Sequence, residues 1–122
     1  MHEIKSSAVD SADYNTVRRV EGFESIAAEY PAYLTDESKF SCQPFDLLFF
    51  PKSEAELAAA MREMARRGVK VTFAGARTGL VGGCVPNQGA LVSLENLDRV
   101  LSLYYDGPSA EWRLKAQCAA SL

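Results

Sequence analysis

Histidine is almost absent from this chain of 122 residues, whose one histidine, His2, lies beside the N-terminus. Nucleophilic enzymes built on a Ser/His/Asp or Cys/His arrangement need a histidine that faces the nucleophile, and His-based metal sites need imidazoles held in a folded element. The sequence therefore excludes both classes, and we assign it no metal ligand.

Cysteines are few and lie far apart in the sequence. There are three, an odd number, at Cys42, Cys84 and Cys118. Neither a disulfide framework nor a zinc site has this spacing. Reduced thiols in a cytoplasmic protein are the interpretation that fits best.

An excess of positive charge and long apolar runs are missing as well. Lys and Arg number 13 against 16 Asp and Glu, which leaves a net charge of -3 and no basic stripe of the kind that binds nucleic acid. No apolar run approaches the roughly 18 residues of a membrane span. Residues 1–10 also lack the apolar segment of a signal peptide. We predict a soluble, unexported protein that binds no nucleic acid and has no membrane span.

By composition the chain divides into three parts. Residues 1–20 are polar and aperiodic and predict a leader that can stay mobile. Residues 21–44 begin with apolar side chains at helical spacing up to Pro31, which predicts a helical lead-in. Residues 45–122 hold the patterned segments, and a chain of this length allows one compact domain.

A strand, a helix and a second strand are predicted at the start of this domain. Residues 46–50 are a short apolar run ended by Pro51, typical of a strand buried on both faces. Ser53 and Glu56 have capping-box spacing and Gly68 supplies a stop, so a helix is predicted between them, and residues 69–73 predict the second strand. The strands of such a βαβ unit are parallel. The predicted fold class is α/β, or α+β in classification terms.

Further short strands are predicted over residues 90–94, 100–104 and 112–118. In the last of these, apolar and polar residues alternate from Trp112 to Cys118, which predicts one buried face and one wet face. The sheet is expected to stop unfinished at the end of the chain.

Five of the eight glycines lie within residues 75–89, directly after the second predicted strand. Glycines let the backbone approach an anion so that successive N–H groups point at phosphate oxygens. From Val71 to Leu94 the only charged residue is Arg77. The segment matches neither the P-loop nor the Rossmann pattern, and no helix is predicted behind it. Two interpretations stay open: a phosphate-binding nest, and a structural turn covered by neighbouring protein.

Four segments in this order resemble the N-terminal part of FAD-linked oxidases of the vanillyl-alcohol oxidase type, in the branch of glycolate oxidase and D-lactate dehydrogenase. The resemblance runs from about Asp36 to Leu122. The segments are FFPKSEAEL at 49–57, VTFAGARTGLVGG at 71–83, LVSL at 91–94 and LDRVL at 97–101.

The resemblance implies the first subdomain of a PCMH-type FAD-binding domain, in which FAD lies between two small α/β subdomains. The glycine-rich segment of this subdomain would cradle the FAD pyrophosphate. The family often has Gly, Asn or His where this chain has Arg77, so a covalent histidyl flavin is not expected here, and whether Arg77 faces the phosphates or a partner acid stays open. The implied cofactor-binding residues are Gly75, Ala76, Arg77, Thr78, Gly79, Leu80, Gly82, Gly83 and Cys84.

The resemblance also implies the activity of the parent protein, which is oxidation of a small 2-hydroxy acid such as glycolate or D-lactate by hydride transfer to FAD. The second subdomain and the substrate domain have no counterpart in 122 residues. We therefore expect the chain alone to be inactive and assign it no catalytic residue. The alternative is a non-catalytic binding or self-association module that keeps the fold without holding flavin and forms homo-oligomers through an exposed sheet edge.

Overall fold

The computed structural model describes residues 12–78 and 82–121, which form a mixed α/β fold with two sheets. The described part contains two α-helices and six strands, with 3₁₀ helices at Tyr14–Thr16 and Pro31–Leu34. Residues 1–11 of the predicted leader lie outside the described residues. The elements in chain order are β1 (Arg19–Glu21), α1 (Phe23–Glu29), β2 (Leu47–Phe49), α2 (Glu54–Arg67), β3 (Val71–Ala74), β4 (Ala90–Ser93), β5 (Val100–Asp106) and β6 (Glu111–Ala116).

The main sheet has four strands in the order β1-β2-β4-β3. Strand β4 pairs in parallel with both β2 and β3, so the two strands that flank α2 are parallel, as predicted, but are not neighbours. All four residues of β4 are buried. The carboxyl ends of three parallel strands therefore meet at one edge of this sheet, which is where α/β folds bind ligands.

Apolar layers cover both faces of the main sheet. On one face, Ala59, Ala60 and Met64 of α2 are buried against side chains that include Phe49 and Val92. Successive residues of a strand point to opposite faces, so Leu91 belongs to the second layer. That layer includes Ile26 of α1, Tyr33 and Phe50. Residues 23–34 thus cover the face that α2 leaves open.

Helix α2 has the bounds that its sequence signals predict. The Ser53 hydroxyl accepts a hydrogen bond from the Glu56 N–H at 3.1 Å, and Gly68 ends the helix in the left-handed conformation. Near its C-terminus, hydrogen bonds from the Arg66 and Arg67 side chains lower the pKa of Glu63 to about 2. Because these signals are local, the sequence alone was sufficient to place this helix.

Strand β1 and the 3₁₀ helix before it lie in a stretch for which the sequence predicted no element. β1 pairs antiparallel with β2 and has only three residues, too few to show a period. Val17, just before it, is 2% exposed. The part of the predicted leader that the structure describes therefore belongs to the fold.

The prediction of a buried face for the last strand is wrong. Strands β5 and β6 form a separate two-stranded antiparallel sheet, and all six residues of β6 are exposed. Trp112 is 71% exposed, although the alternation around it is typical of a strand that covers a core. Alternation shows that a strand has an apolar face, but within the described residues no layer packs over the apolar face of β6.

Candidate functional site

The glycine loop, residues 75–89, connects the two ends of the main sheet. It leaves β3 at the carboxyl edge after Ala74 and enters β4 at the amino edge before Ala90. The register sets Val71 opposite Ala90, so the loop must return along the full length of the strands. Of the residues predicted to bind the cofactor, Gly79 and Leu80 lie outside the described residues.

The main-chain N–H groups of this loop have few partners among the described residues. Seven predicted cofactor-binding residues are described, and none of them donates its main-chain N–H to another residue in the described part of the chain. Unpaired donors carry a free-energy cost unless water or a ligand accepts from them. A run of free amides is the donor set that a phosphate needs. The seven are Gly75, Ala76, Arg77, Thr78, Gly82, Gly83 and Cys84.

Backbone conformation and open space also suit a bound anion. Arg77 and Gly82 have φ of 57° and 78°, in the left-handed region that turns successive amides toward one side. A Cβ built on Gly75 or on Gly83 would meet no atom of the described residues within 4 Å, so a ligand can approach the backbone at both positions. At Gly82 a Cβ would lie 2.6 Å from Cδ2 of the exposed Phe40 side chain, which would have to shift, and the positive φ by itself favours glycine there.

The Arg77 side chain packs on an aromatic ring. Its guanidinium carbon lies 4.2 Å from the centroid of the Tyr33 ring, a cation–π contact. The Tyr33 hydroxyl lies 2.7 Å from the Ser93 hydroxyl and donates to a Glu95 carboxylate oxygen at 2.8 Å. Arg77 forms no ion pair with an acid among the described residues. The sequence left open whether Arg77 faces the phosphates or a partner acid. Because no described carboxylate pairs with Arg77, the structure gives no support to the partner acid.

The described loop residues do not converge on one cavity. Gly75 and Ala76 line a cavity of about 350 Å³ together with Glu95 and Asp98. Gly82 lines a separate cavity of about 270 Å³ beside Phe40. The two carboxylates make the first cavity unfavourable for a phosphate, which leaves the unpaired amides beyond Ala76 as the better anion site.

Two cysteines pack against the protein interior near the loop. Cys42 and Cys84 are partly buried against the layer that contains Tyr33 and Phe50. Burial raises the pKa of the Cys42 thiol. Cys84 thus serves as a small packing residue against this layer.

Sequence reasoning missed Tyr33, Ser93 and Glu95 as neighbours of the loop. Tyr33 contacts Ser93 across 60 residues and Glu95 across 62. No motif joins positions so far apart, and the one available signal was that aromatic residues cluster around Pro31. The structure supplies this part of the site.

Comparisons with known proteins agree with the fold and identify a family. The family described as FAD binding domain matches residues 45–122. A solved structure of a BBE-like 1 variant from the moss Physcomitrella patens has a similar fold, with a TM-score of 0.52 at 16% identity. That match covers 80% of this chain and 22% of the moss protein, so this chain corresponds to a small part of that structure. In the described part of the chain, no helix is long and apolar enough to cross a membrane. The chain belongs to the family of FAD binding domains.

Proposed function

We propose that the glycine loop holds the pyrophosphate of FAD through its main-chain amides. The observation that carries this proposal is the set of seven loop residues whose N–H groups have no partner among the described residues. FAD supplies an anion with several acceptor oxygens, and hydrogen bonds to a charged acceptor are about twice as strong as neutral ones. Amides that have no partner in the described part of the loop would then donate to the bound cofactor.

Charge divides the site into two regions with different preferences. Arg77 is the one basic residue between Val71 and Leu94, and it favours phosphate on its side of the loop. Glu95 and Asp98 line the cavity that Gly75 and Ala76 also line, which forms the second side. Carboxylates accept hydrogen bonds from hydroxyl groups, so we assign this second side to a ribityl or ribose hydroxyl of FAD.

The parent protein is proposed to be an oxidoreductase that oxidises a 2-hydroxy acid such as glycolate or D-lactate, in the cytoplasm. Bound FAD would supply the hydride acceptor for such a reaction. The resemblance of the four sequence segments supports the substrate class, and the three free cysteines support the location. The contribution of this chain is to bind and orient the cofactor.

A titration of the isotope-labelled chain followed by amide NMR tests the proposed site. We expect FAD, ADP and inorganic pyrophosphate to shift the amide signals of Arg77, Thr78 and residues 82–84, the amides beyond the two carboxylates. Riboflavin, which has the isoalloxazine ring and no phosphate, is the matched control and should leave these signals in place. Shifts that are equal with riboflavin, or that appear only at the amino edge of the sheet, would rule out the phosphate cradle.

Self-association is a second candidate function, and the exposed hairpin β5–β6 is the observation that favours it. The register sets Leu103 opposite Leu114 and Tyr105 opposite Trp112, so these four side chains share one face. Each is more than half exposed. A lone two-stranded sheet is marginally stable in water, and apolar patches of this kind mark interaction surfaces.

We propose that the hairpin β5–β6 binds the same hairpin of a second copy of this chain. If two β6 strands pair antiparallel about Arg113, Glu111 lies opposite Lys115 of the copy and Trp112 lies opposite Leu114. Unlike charges directly opposite each other stabilise a strand pair. Arg113 itself is balanced by Asp106 at 2.9 Å in its own chain. Charge complementarity and the apolar face thus both favour this register of the two β6 strands.

Reversing one charge of this register should weaken the dimer. We expect Lys115→Glu to raise the dimer dissociation constant in sedimentation experiments, because it sets two carboxylates opposite each other. The double variant Glu111→Lys with Lys115→Glu exchanges the charges and should restore the dimer. A wild-type chain that sediments as a monomer, or a double variant as weak as the single one, would contradict the pairing.

A further inference from the structure

Tyr33 contacts the glycine loop although it lies outside the part of the chain that matches the family. The match begins at residue 45, and Tyr33 belongs to the 3₁₀ helix Pro31–Leu34. Its side chain is buried, with 5% of the residue exposed, yet its ring faces the Arg77 guanidinium. An aromatic residue that links the interior to a loop of free amides is in a position to organise that loop.

The Tyr33 ring is held from several directions. It packs edge-on against Phe50, with centroids 5.8 Å apart and an interplanar angle of 84°. Because its hydroxyl proton is directed to the Glu95 carboxylate, the Ser93 hydroxyl must donate to the Tyr33 oxygen. Burial raises the pKa of Tyr33, so the hydroxyl stays protonated and keeps donating well above neutral pH. The ring is therefore a rigid platform.

Arg77 has a left-handed backbone conformation, which residues with a Cβ seldom adopt, and its side chain stacks on the Tyr33 ring. Its φ of 57° is unusual for a residue with a Cβ, and contact with the ring offsets that cost. A guanidinium that lies on a ring keeps the N–H donors at its edges available. No described carboxylate takes them, so they can bind an anion.

We propose that Tyr33 is a positioning residue, whose ring holds Arg77 beside the glycine loop with its N–H edge directed to a phosphate oxygen of FAD. The inference rests on the proposed function of the loop. The affinity of the loop for phosphate would then depend on a buried tyrosine from the segment before the family match. Arg77 binds the anion, and Tyr33 acts through Arg77.

Three single variants and one double variant test this arrangement. Arg77→Gly keeps the left-handed backbone and removes the guanidinium, so we expect the dissociation constant for FAD and for pyrophosphate to rise about tenfold, as for one lost charge-assisted hydrogen bond. Tyr33→Leu should cause a similar loss, while Tyr33→Phe keeps the ring and should retain most of the affinity. In the double variant Tyr33→Leu with Arg77→Gly, the losses should not add, because both remove the same contact.

A second readout separates the failure of this inference from the failure of the proposed function. The aromatic ring should shift the NMR signals of the Arg77 δ protons upfield without any ligand, and the shift should vanish in Tyr33→Leu and persist in Tyr33→Phe. If the wild-type loop does not respond to FAD or pyrophosphate, the proposed function fails and the phosphate contact fails with it, even where the stacking shift is present. If the wild type binds and Tyr33→Leu binds as tightly, the role of Tyr33 is overturned. If Arg77→Gly binds as tightly, the roles of Arg77 and Tyr33 are both overturned, and the proposed amide cradle stands in either case.

Discussion

Replacing Gly89 with alanine is expected to unfold the protein. Gly89 has φ of 82°, and a Cβ there would overlap the carbonyl oxygen of Lys70 and lie 3.0 Å from its carbonyl carbon. That carbonyl cannot move away freely, because it accepts the Ala90 N–H at 2.9 Å where β3 and β4 begin to pair. We expect a loss of more than about 4 kcal/mol, against total stabilities of about 5–15 kcal/mol for domains.

Gly68→Ala is the matched control for this substitution. Gly68 also has a positive φ, 67°, but a Cβ there would meet no atom within 4 Å. Its cost should be the backbone term alone, roughly 1–2 kcal/mol. Urea unfolding followed by circular dichroism measures both variants, and equal losses in the two would show that the contact with Lys70 is relieved without harm.

Replacing Gly83 with valine is expected to abolish phosphate binding while the fold stays intact. Gly83 is exposed, its φ lies outside the left-handed region, and a Cβ there would meet nothing within 4 Å. The branched side chain would occupy the space in which we place a phosphate. Loss of two amide hydrogen bonds to a charged acceptor, at about 1.5–3 kcal/mol each, corresponds to a loss of affinity of about a hundredfold or more.

Gly107→Val provides the control for valine at an open glycine away from the loop. Gly107 lies in the turn between β5 and β6, and a Cβ there would also meet no atom within 4 Å. FAD and pyrophosphate titrations should show wild-type affinity for this variant and none for Gly83→Val, with unchanged circular dichroism spectra for both. Unchanged affinity in Gly83→Val would refute the assignment of Gly83 to the cradle.

Features set by neighbouring residues in the sequence were predictable. The capping signals at Ser53 and Gly68 placed α2, and the apolar runs placed β2 and β4 within one or two residues. Strand β1 was missed because three residues in a polar stretch have no period, and because its stability comes from pairing with β2. Strand order was also out of reach, since periodicity does not report that β4 lies between β2 and β3.

The candidate site divides in the same way. The glycine loop could be predicted from the sequence because a cluster of glycines directly after a strand is typical of only a few structures, an anion-binding loop among them. The contact of the Tyr33 ring with Arg77 could not be predicted, because Tyr33, Ser93 and Glu95 come together only when the lead-in segment packs on the sheet. The burial of β6 was predicted wrongly for the related reason that alternation reports a face and not what covers it.

The place of β4 in the main sheet has a consequence for synthesis on the ribosome. β1 and β2 can pair as soon as both have emerged, but β3 has no neighbour in the sheet except β4. The last strand of this sheet to be made is therefore one of its two inner strands, and the pairings of β2 and β3 with it are complete only after Ser93 has been made. Until then the apolar face of α2 lacks its contacts with Ala90 and Val92 of β4, so this surface stays exposed on the nascent chain.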